Sequence, residues 1–250
     1  MPEYTAKDIY VAPIKSANAN ALVKRIHYSG KVVQNSQLHF GVFIGGRLEG
    51  VMQFGPSLDK RKIQGLVKNT SWNGFIELNR MAFSERLPRN SESRAIGIAM
   101  RLIRKHYPHI EWIISFADGT QCGDGTIYRA SGFVLTGIKE NKTILRMPDG
   151  TIAANMTFSK GKHILNGGGA KKPEGANALS GHMLRYVYFL NPKAKERLTV
   201  PIIPFSKIEE VGASMYLGQT IKRPKQAESG PPEMRRGSTD PDAPSISQAE

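Results

Sequence analysis

The sequence has a single cysteine, Cys122, which excludes an intrachain disulfide and a Cys-rich zinc site. It has no apolar run approaching the roughly 20 residues that a membrane helix needs. Its first residues, MPEYTAKDIYVAPIK, lack the charged-then-apolar layout of a secretion signal. A soluble, cytoplasmic chain with no membrane partner is therefore expected. Zinc-finger, helix-turn-helix and RNA-binding-sheet signatures are missing, and so are internal repeats. Apolar residues almost vanish after residue 218. Residues 219–250, rich in Pro, Ser, Gly and charge, are predicted to be a disordered tail, and residues 1–218 a folded domain.

Acidic residues are also in short supply. Lys and Arg number 35 against 21 Asp and Glu, a net charge of +14. The stretch from Lys222 to Glu250 holds five basic and five acidic residues, so the excess lies in the folded part. That favours a polyanionic partner, nucleic acid first. Two basic segments, about 56–74 and 160–180, read as long loops, and long loops in compact domains are often binding elements.

The periodicities give a mixed α/β order. Asp8–Val11 is a short strand, and Ser16 is expected to cap a helix running to about His27. Leu38–Ile44 and Leu48–Phe54 form a hairpin through Gly45-Gly46. Phe75–Phe83 is a strand, followed by a helix from about Ser93 to His106. Trp112–Ala117 is an almost continuous apolar strand, as expected where both faces are buried. Thr126–Ser131 is a short helix closed by Gly132. Phe133–Ile138 is a strand with which Lys142–Met147 is predicted to pair, and Arg185–Leu190 is another. The order predicts a largely antiparallel central sheet flanked by helices, with one strand–helix–strand crossover.

Several residues carry possible chemistry. Arg94, Ala95, Ile96, Gly97 and Ala99 follow a strand and a polar loop at the opening of a helix. Free backbone N–H groups there suit a pyrophosphate. The segment resembles the Arg/Gln-x-x-Gly-x-Gly/Ala motif with which GNAT acyltransferases hold coenzyme A; the plain alternative is a Gly and an Ala chosen for helix–sheet packing. His27-Tyr28 ends the first helix, where a His is either a base or ligand or simply well placed by the helix dipole. Asp118-Gly119 ends a buried strand, either facing a ligand crevice or making an ordinary turn. Tyr128 lies in the short helix beyond. Arg80 sits in the strand FIELNRMAF and needs a partner, either an acid such as Glu77 or an anionic ligand.

Four segments in this order, HYSG (His27–Gly30), ELNRMAF (Glu77–Phe83), SFADGTQCGDGTIYRASGF (Ser115–Phe133) and RYVYFLNPKAKERL (Arg185–Leu198), resemble the bacteriophage Mom family. The resemblance spans about residues 8–205. It implies a GNAT-like catalytic domain that converts adenine in double-stranded DNA to N-methylcarbamoyl-adenine with an acetyl-CoA donor, protecting phage DNA from restriction. It places His27, Tyr28, Asp118, Tyr128 and Arg80 at the active site. It also implicates iron: a nitrogen must enter between the acyl-derived carbons, and His27, Tyr28, Asp118 and Tyr128 are the ligands it suggests. The adenine would be flipped out of the duplex, with Trp72, Phe75 or Tyr107 stacking on it or filling its gap. Oligomeric state stays open, a homodimer included. Two other readings stay open as well: an N-acetyltransferase for a protein or small-molecule amine, and a DNA-binding protein without catalysis.

Overall fold

The computed structural model describes residues 4–121, 123–155, 158, 172–216 and 219–220. Most of the expected basic loop at 160–180, Cys122 and the tail beyond Thr220 lie outside the described residues. The centre is a seven-stranded sheet. Its order is β1 (Tyr10–Pro13), β2 (Leu38–Ile44), β3 (Arg47–Gly55), β4 (Phe75–Phe83), β5 (Trp112–Asp118), β10 (His182–Phe189) and β6 (Val134–Glu140). Every neighbouring pair is antiparallel except β4 and β5. This is the mixed, largely antiparallel sheet that the sequence predicts. Gly45 and Gly46 close the β2–β3 hairpin with φ of 53° and 74°, a left-handed pair that glycine adopts without strain.

Parallel neighbours need a crossover, and α3 (Ser91–His106) supplies it. Its stripe of Ala95, Ile96, Ala99, Met100 and Ile103 is buried on the sheet against Phe40, Met52, Phe54 and Ile113. Because side chains alternate along a strand, Val51 of β3 and Ala82 of β4 face the other way. There they meet Ala19, Leu22 and Val23 of α1 (Ser16–Ile26). Farther along that face, Phe75, Trp112, Ile114 and Val187 pack with Leu66, Val67 and Ala194. Phe75 and Trp112 stack with centroids 4.4 Å apart, and the Trp112 indole N–H donates to Thr70 Oγ1 at 3.0 Å. Strand β5 is thus covered on both faces, which explains its almost continuous apolar run.

The β4–β5 ladder is short. It pairs Phe75 with Trp112, Ile76 with Ile113 and Glu77 with Ile114, and then ends. Beyond it β4 continues beside β3 while β5 continues beside β10. A bulge in β4 at Asn79, between the pairs Gln53–Arg80 and Phe54–Leu78, bends the strand away. The Leu78 carbonyl at the parting point accepts a hydrogen bond from Ser115 Oγ at 3.0 Å.

The structure differs from the sequence reading in four places. Residues 56–74 are not all loop: Lys60–Gln64 forms α2, where an Asp59–Lys62 ion pair of 3.0 Å spans the turn and Ile63 packs on the Trp112 cluster. Ser16 is the first residue of α1 and not its cap; Lys15 precedes it, and its carbonyl accepts from Asn18 and Ala19. Strand β7 (Ile144–Arg146) does not pair with β6. Asn141 turns the chain by accepting from Thr143, and β7 joins β8 (Ile152–Ala154) and β9 (Asn177–Ala178) in a separate small sheet. Gln219–Thr220, read as the start of the tail, pairs with Met215–Tyr216.

Replacing Ser115 by Ala leaves the Leu78 carbonyl buried without its donor. The expected cost is about 1–3 kcal/mol, read as a lower urea midpoint at unchanged slope. An unchanged midpoint would mean that the fork does not depend on this bond.

Candidate active site

The parting of β4 and β5 opens a cavity of about 390 Å³. Its walls are Leu78–Met81 and Phe83 from β4, Phe116 and Ala117 from β5, Glu92 from the start of α3, and the run Gly123–Tyr128. His27 and Tyr28 complete the rim. Four of the five expected active-site residues, His27, Tyr28, Arg80 and Tyr128, therefore share one cavity although they come from three distant segments.

Each is held by identifiable contacts. The backbone N–H of Ser29 donates to His27 Nδ1 at 3.1 Å, and Ser29 Oγ lies 2.8 Å from the same nitrogen. A backbone N–H can only donate, so Nδ1 is the acceptor and the neutral ring carries its proton on Nε2. Burial, assisted by the positive charge of Arg80, pushes the His27 pKa down to about 4. His27 is therefore a neutral ring offering an N–H at neutral pH. Tyr28 lies over it with centroids 4.2 Å apart and is half exposed.

Arg80 is not paired with Glu77. Its Nε donates to the Lys31 carbonyl at 2.9 Å and its Nη1 to the Asn79 carbonyl at 2.7 Å, which straps the loop after His27 to the bulged strand. Glu77 bonds to Ser57, and burial raises its pKa.

Tyr128 is buried between Phe133 and Tyr186, with centroids 5.3 Å from each. Its segment is fixed from behind. The Tyr186 hydroxyl donates to the Asp124 carbonyl, and the buried Asp124 carboxylate accepts from Thr126 N and Oγ1 at 3.2 and 2.8 Å. Gly125 has φ of 79°, and a Cβ there would come within 2.5 Å of the Tyr186 ring, so glycine is required.

Other expected residues lie elsewhere. Asp118 does not line the cavity; its carboxylate accepts from Thr120 N at 3.0 Å, Gln121 Nε2 at 3.3 Å and Asn141 Nδ2 at 3.1 Å. It shapes the turn that ends β5. Arg94, Ala95, Ile96, Gly97 and Ala99 do not line the cavity either. The helix starts at Ser91, so they fall past or at the end of its first turn. Ala95, Ile96 and Ala99 are in the core, and Arg94 is exposed toward Asp8, whose carboxyl is held below its ordinary pKa by hydrogen bonds from Thr5 and, less, by the Arg94 charge. A Cβ on Gly97 would meet nothing nearer than 3.8 Å, so packing does not demand a glycine there. Glu92 was missed by sequence reasoning, as was Ser29, although Ser29 stands inside the HYSG segment.

Trp72, Phe75 and Tyr107 line a different cavity at the start of β4, sharing no residue with this one. Phe75 is also buried on Trp112, which leaves Trp72 and Tyr107 as the exposed rings of that second cavity.

The structure lends iron no support. Among the described residues no three of His, Cys, Asp and Glu come together as metal ligands. The ring lone pair of His27 is spent on Ser29, and Asp118 is turned away to its own loop. Nor is any helix among the described residues long and apolar enough to cross a membrane.

The sheet and the cavity at its strand fork define a mixed, largely antiparallel α/β protein. Similar solved structures include a Bacillus subtilis acetyltransferase in complex with CoA (TM-score 0.43, 11% identity, 72% of this chain and 97% of that one). Another is the ribosomal-protein-S18-alanine N-acetyltransferase of Escherichia coli (TM-score 0.43, 11% identity, 73% and 94%). Within that class the chain belongs to the Mom protein family, whose family model matches residues 8–207. It is 37% identical over 206 residues to the methylcarbamoylase Mom of Escherichia phage Mu, covering 80% of this chain and 83% of that protein.

The His27 environment predicts a pH dependence. Below pH 6.5 the unfolded chain takes up a proton that the folded chain refuses until about pH 4. Stability should fall through this window and lose nothing to His27 above it. Urea midpoints of His27→Gln should show a shallower acid slope than wild type. A His27 ring titrating near 6.5 by NMR would contradict the assignment.

Proposed function

We infer that this chain modifies adenine in double-stranded DNA, placing a methylcarbamoyl group on the exocyclic amine, with an acyl-CoA supplying the carbons and a separate, oxidised nitrogen donor supplying the inserted nitrogen, and so shields phage DNA from restriction. The observation that carries this reading is the meeting of His27, Tyr28, Arg80 and Tyr128 at one cavity in a chain 37% identical to a protein named methylcarbamoylase.

The cavity suits such work. Its base is a strand fork, where backbone groups of Asn79–Met81 are not paired to β5. An adenine in a duplex must be turned out to reach it. Tyr28, half exposed at the rim, is the ring placed to stack on that base. Lys24, Arg25 and Lys31 flank His27 and Tyr28 in sequence and are exposed, so they can meet phosphates beside the opening. The His27 Nε2–H is a donor for a carbonyl or a base nitrogen. It orients and stabilises developing negative charge; it does not abstract a proton. Arg80 keeps the His27 loop in place.

The donor fits the start of α3. The free N–H groups of a first helical turn suit a pyrophosphate, and exposed Arg89 in the preceding loop adds positive charge. When bound, the acyl-CoA would supply an activated acyl carbon beside the fork. Asp118 acts on the site indirectly, through the Gly119–Gln121 turn and Asn141.

His27→Ala should lower the modification rate at least about 100-fold, the scale of a lost positioned hydrogen bond in a reacting site. Duplex binding, set by exposed cations, should change little. The check is nucleoside analysis of DNA from cells expressing each variant, alongside gel-shift affinities of the purified proteins. Full modification by His27→Ala would remove His27 from the mechanism.

A further inference from the structure

The second cavity, about 630 Å³, lies at the start of β4, whereas the first lies at its end. Two large rings stand at its surface: Trp72 is 52% exposed and Tyr107 39%. The other tryptophan, Trp112, is fully buried, so leaving Trp72 in water is a local exception. The Lys60 ammonium sits 4.5 Å from the Trp72 ring centre and 5.8 Å from that of Phe75, and donates to Asn73 Oδ1 at 3.2 Å. Among the described residues no carboxylate pairs with Lys60. Exposed Arg61 and Lys68 lie between Lys60 and Trp72 in sequence, and exposed Lys105 lies two residues before Tyr107.

We propose that this aromatic, basic cleft binds single-stranded DNA, taking an unpaired base against Trp72 and Tyr107 and its phosphate at Lys60. Bases inside a duplex cover one another's faces, so an open aromatic wall can take only an unpaired one. A cation fixed beside the rings suits the phosphate that follows the base. Arg61, Lys68 and Lys105 lie outside the cleft, where a lone nucleotide would not use them and a continuing strand would. An apolar peptide would leave all four cations without a role. The site goes beyond the modification reaction and stands whether or not His27 acts as inferred.

Trp72 is also the reporter. Trp112 is buried and hydrogen-bonded to Thr70, so quenching by added DNA reads the cleft. Titration with a short single-stranded oligodeoxynucleotide should give saturable, salt-sensitive quenching. In anisotropy measurements with the labelled strand, Trp72→Ala should weaken binding about tenfold or more, within the range for one stacked base. Trp72→Phe, which keeps a ring, should retain most of the affinity. Lys60→Gln should weaken binding and reduce its salt dependence, and His27→Gln should leave it unchanged. Equal quenching by AMP or CoA at the same concentration would overturn the single-strand assignment. So would undiminished affinity in Trp72→Ala, or equally tight, equally Trp72-dependent binding of a blunt duplex.

Discussion

The parallel ladder between β4 and β5 stops after three residue pairs, and the rest of the molecule is arranged around that stop. A parallel pair forces a crossover, and α3 provides it with a five-residue buried stripe. The bulge at Asn79 then sends β4 toward β3 while β5 stays with β10. Parting two strands inside a sheet leaves backbone groups without ladder partners, which is costly when buried. Ser115 answers one of them through the Leu78 carbonyl. The remaining opening is the cavity that collects His27, Tyr28, Arg80 and Tyr128.

Two supports keep those groups in place. On one side Arg80 binds the Lys31 carbonyl and so holds the loop that carries His27, while Ser29 fixes the ring's tautomer. On the other side Tyr186 holds Asp124 and leaves room only for glycine at position 125, which sets the short helix of Tyr128. The second support is also part of the core, where Tyr186 is fully buried against Tyr128. The effect of both supports is orientation, the quantity to which a reaction inside a small cavity is most sensitive. Asp118, which the resemblance places among the reacting groups, is held at the end of β5 by Thr120, Gln121 and Asn141.

Sheet class, hairpin turn and main helices were legible in the sequence because each is written in local periodicity. Gly45-Gly46 marks its turn, and Trp112–Asp118 is apolar because both faces are covered. What was not legible is non-local. Nothing in the spacing of Arg94–Ala99 reveals that the helix begins three residues earlier and turns these side chains to the core and to Asp8. The destination of Lys142–Met147 depends on Asn141 bending the chain away from β6. The basic segment at 56–74 reads as loop and not as helix, since Ile63 becomes an anchor only once the Trp112 cluster exists. Its position at the far end of β4 also separates Trp72 and Tyr107 from the first cavity, a division that no linear pattern contains.

The most direct test of adenine modification is mass spectrometry of nucleosides from DNA of cells expressing this protein. A new deoxyadenosine species, heavier by a methylcarbamoyl group and absent when His27 is replaced by Gln, is the predicted result. Unmodified deoxyadenosine throughout, with folded protein present at high level, would contradict it.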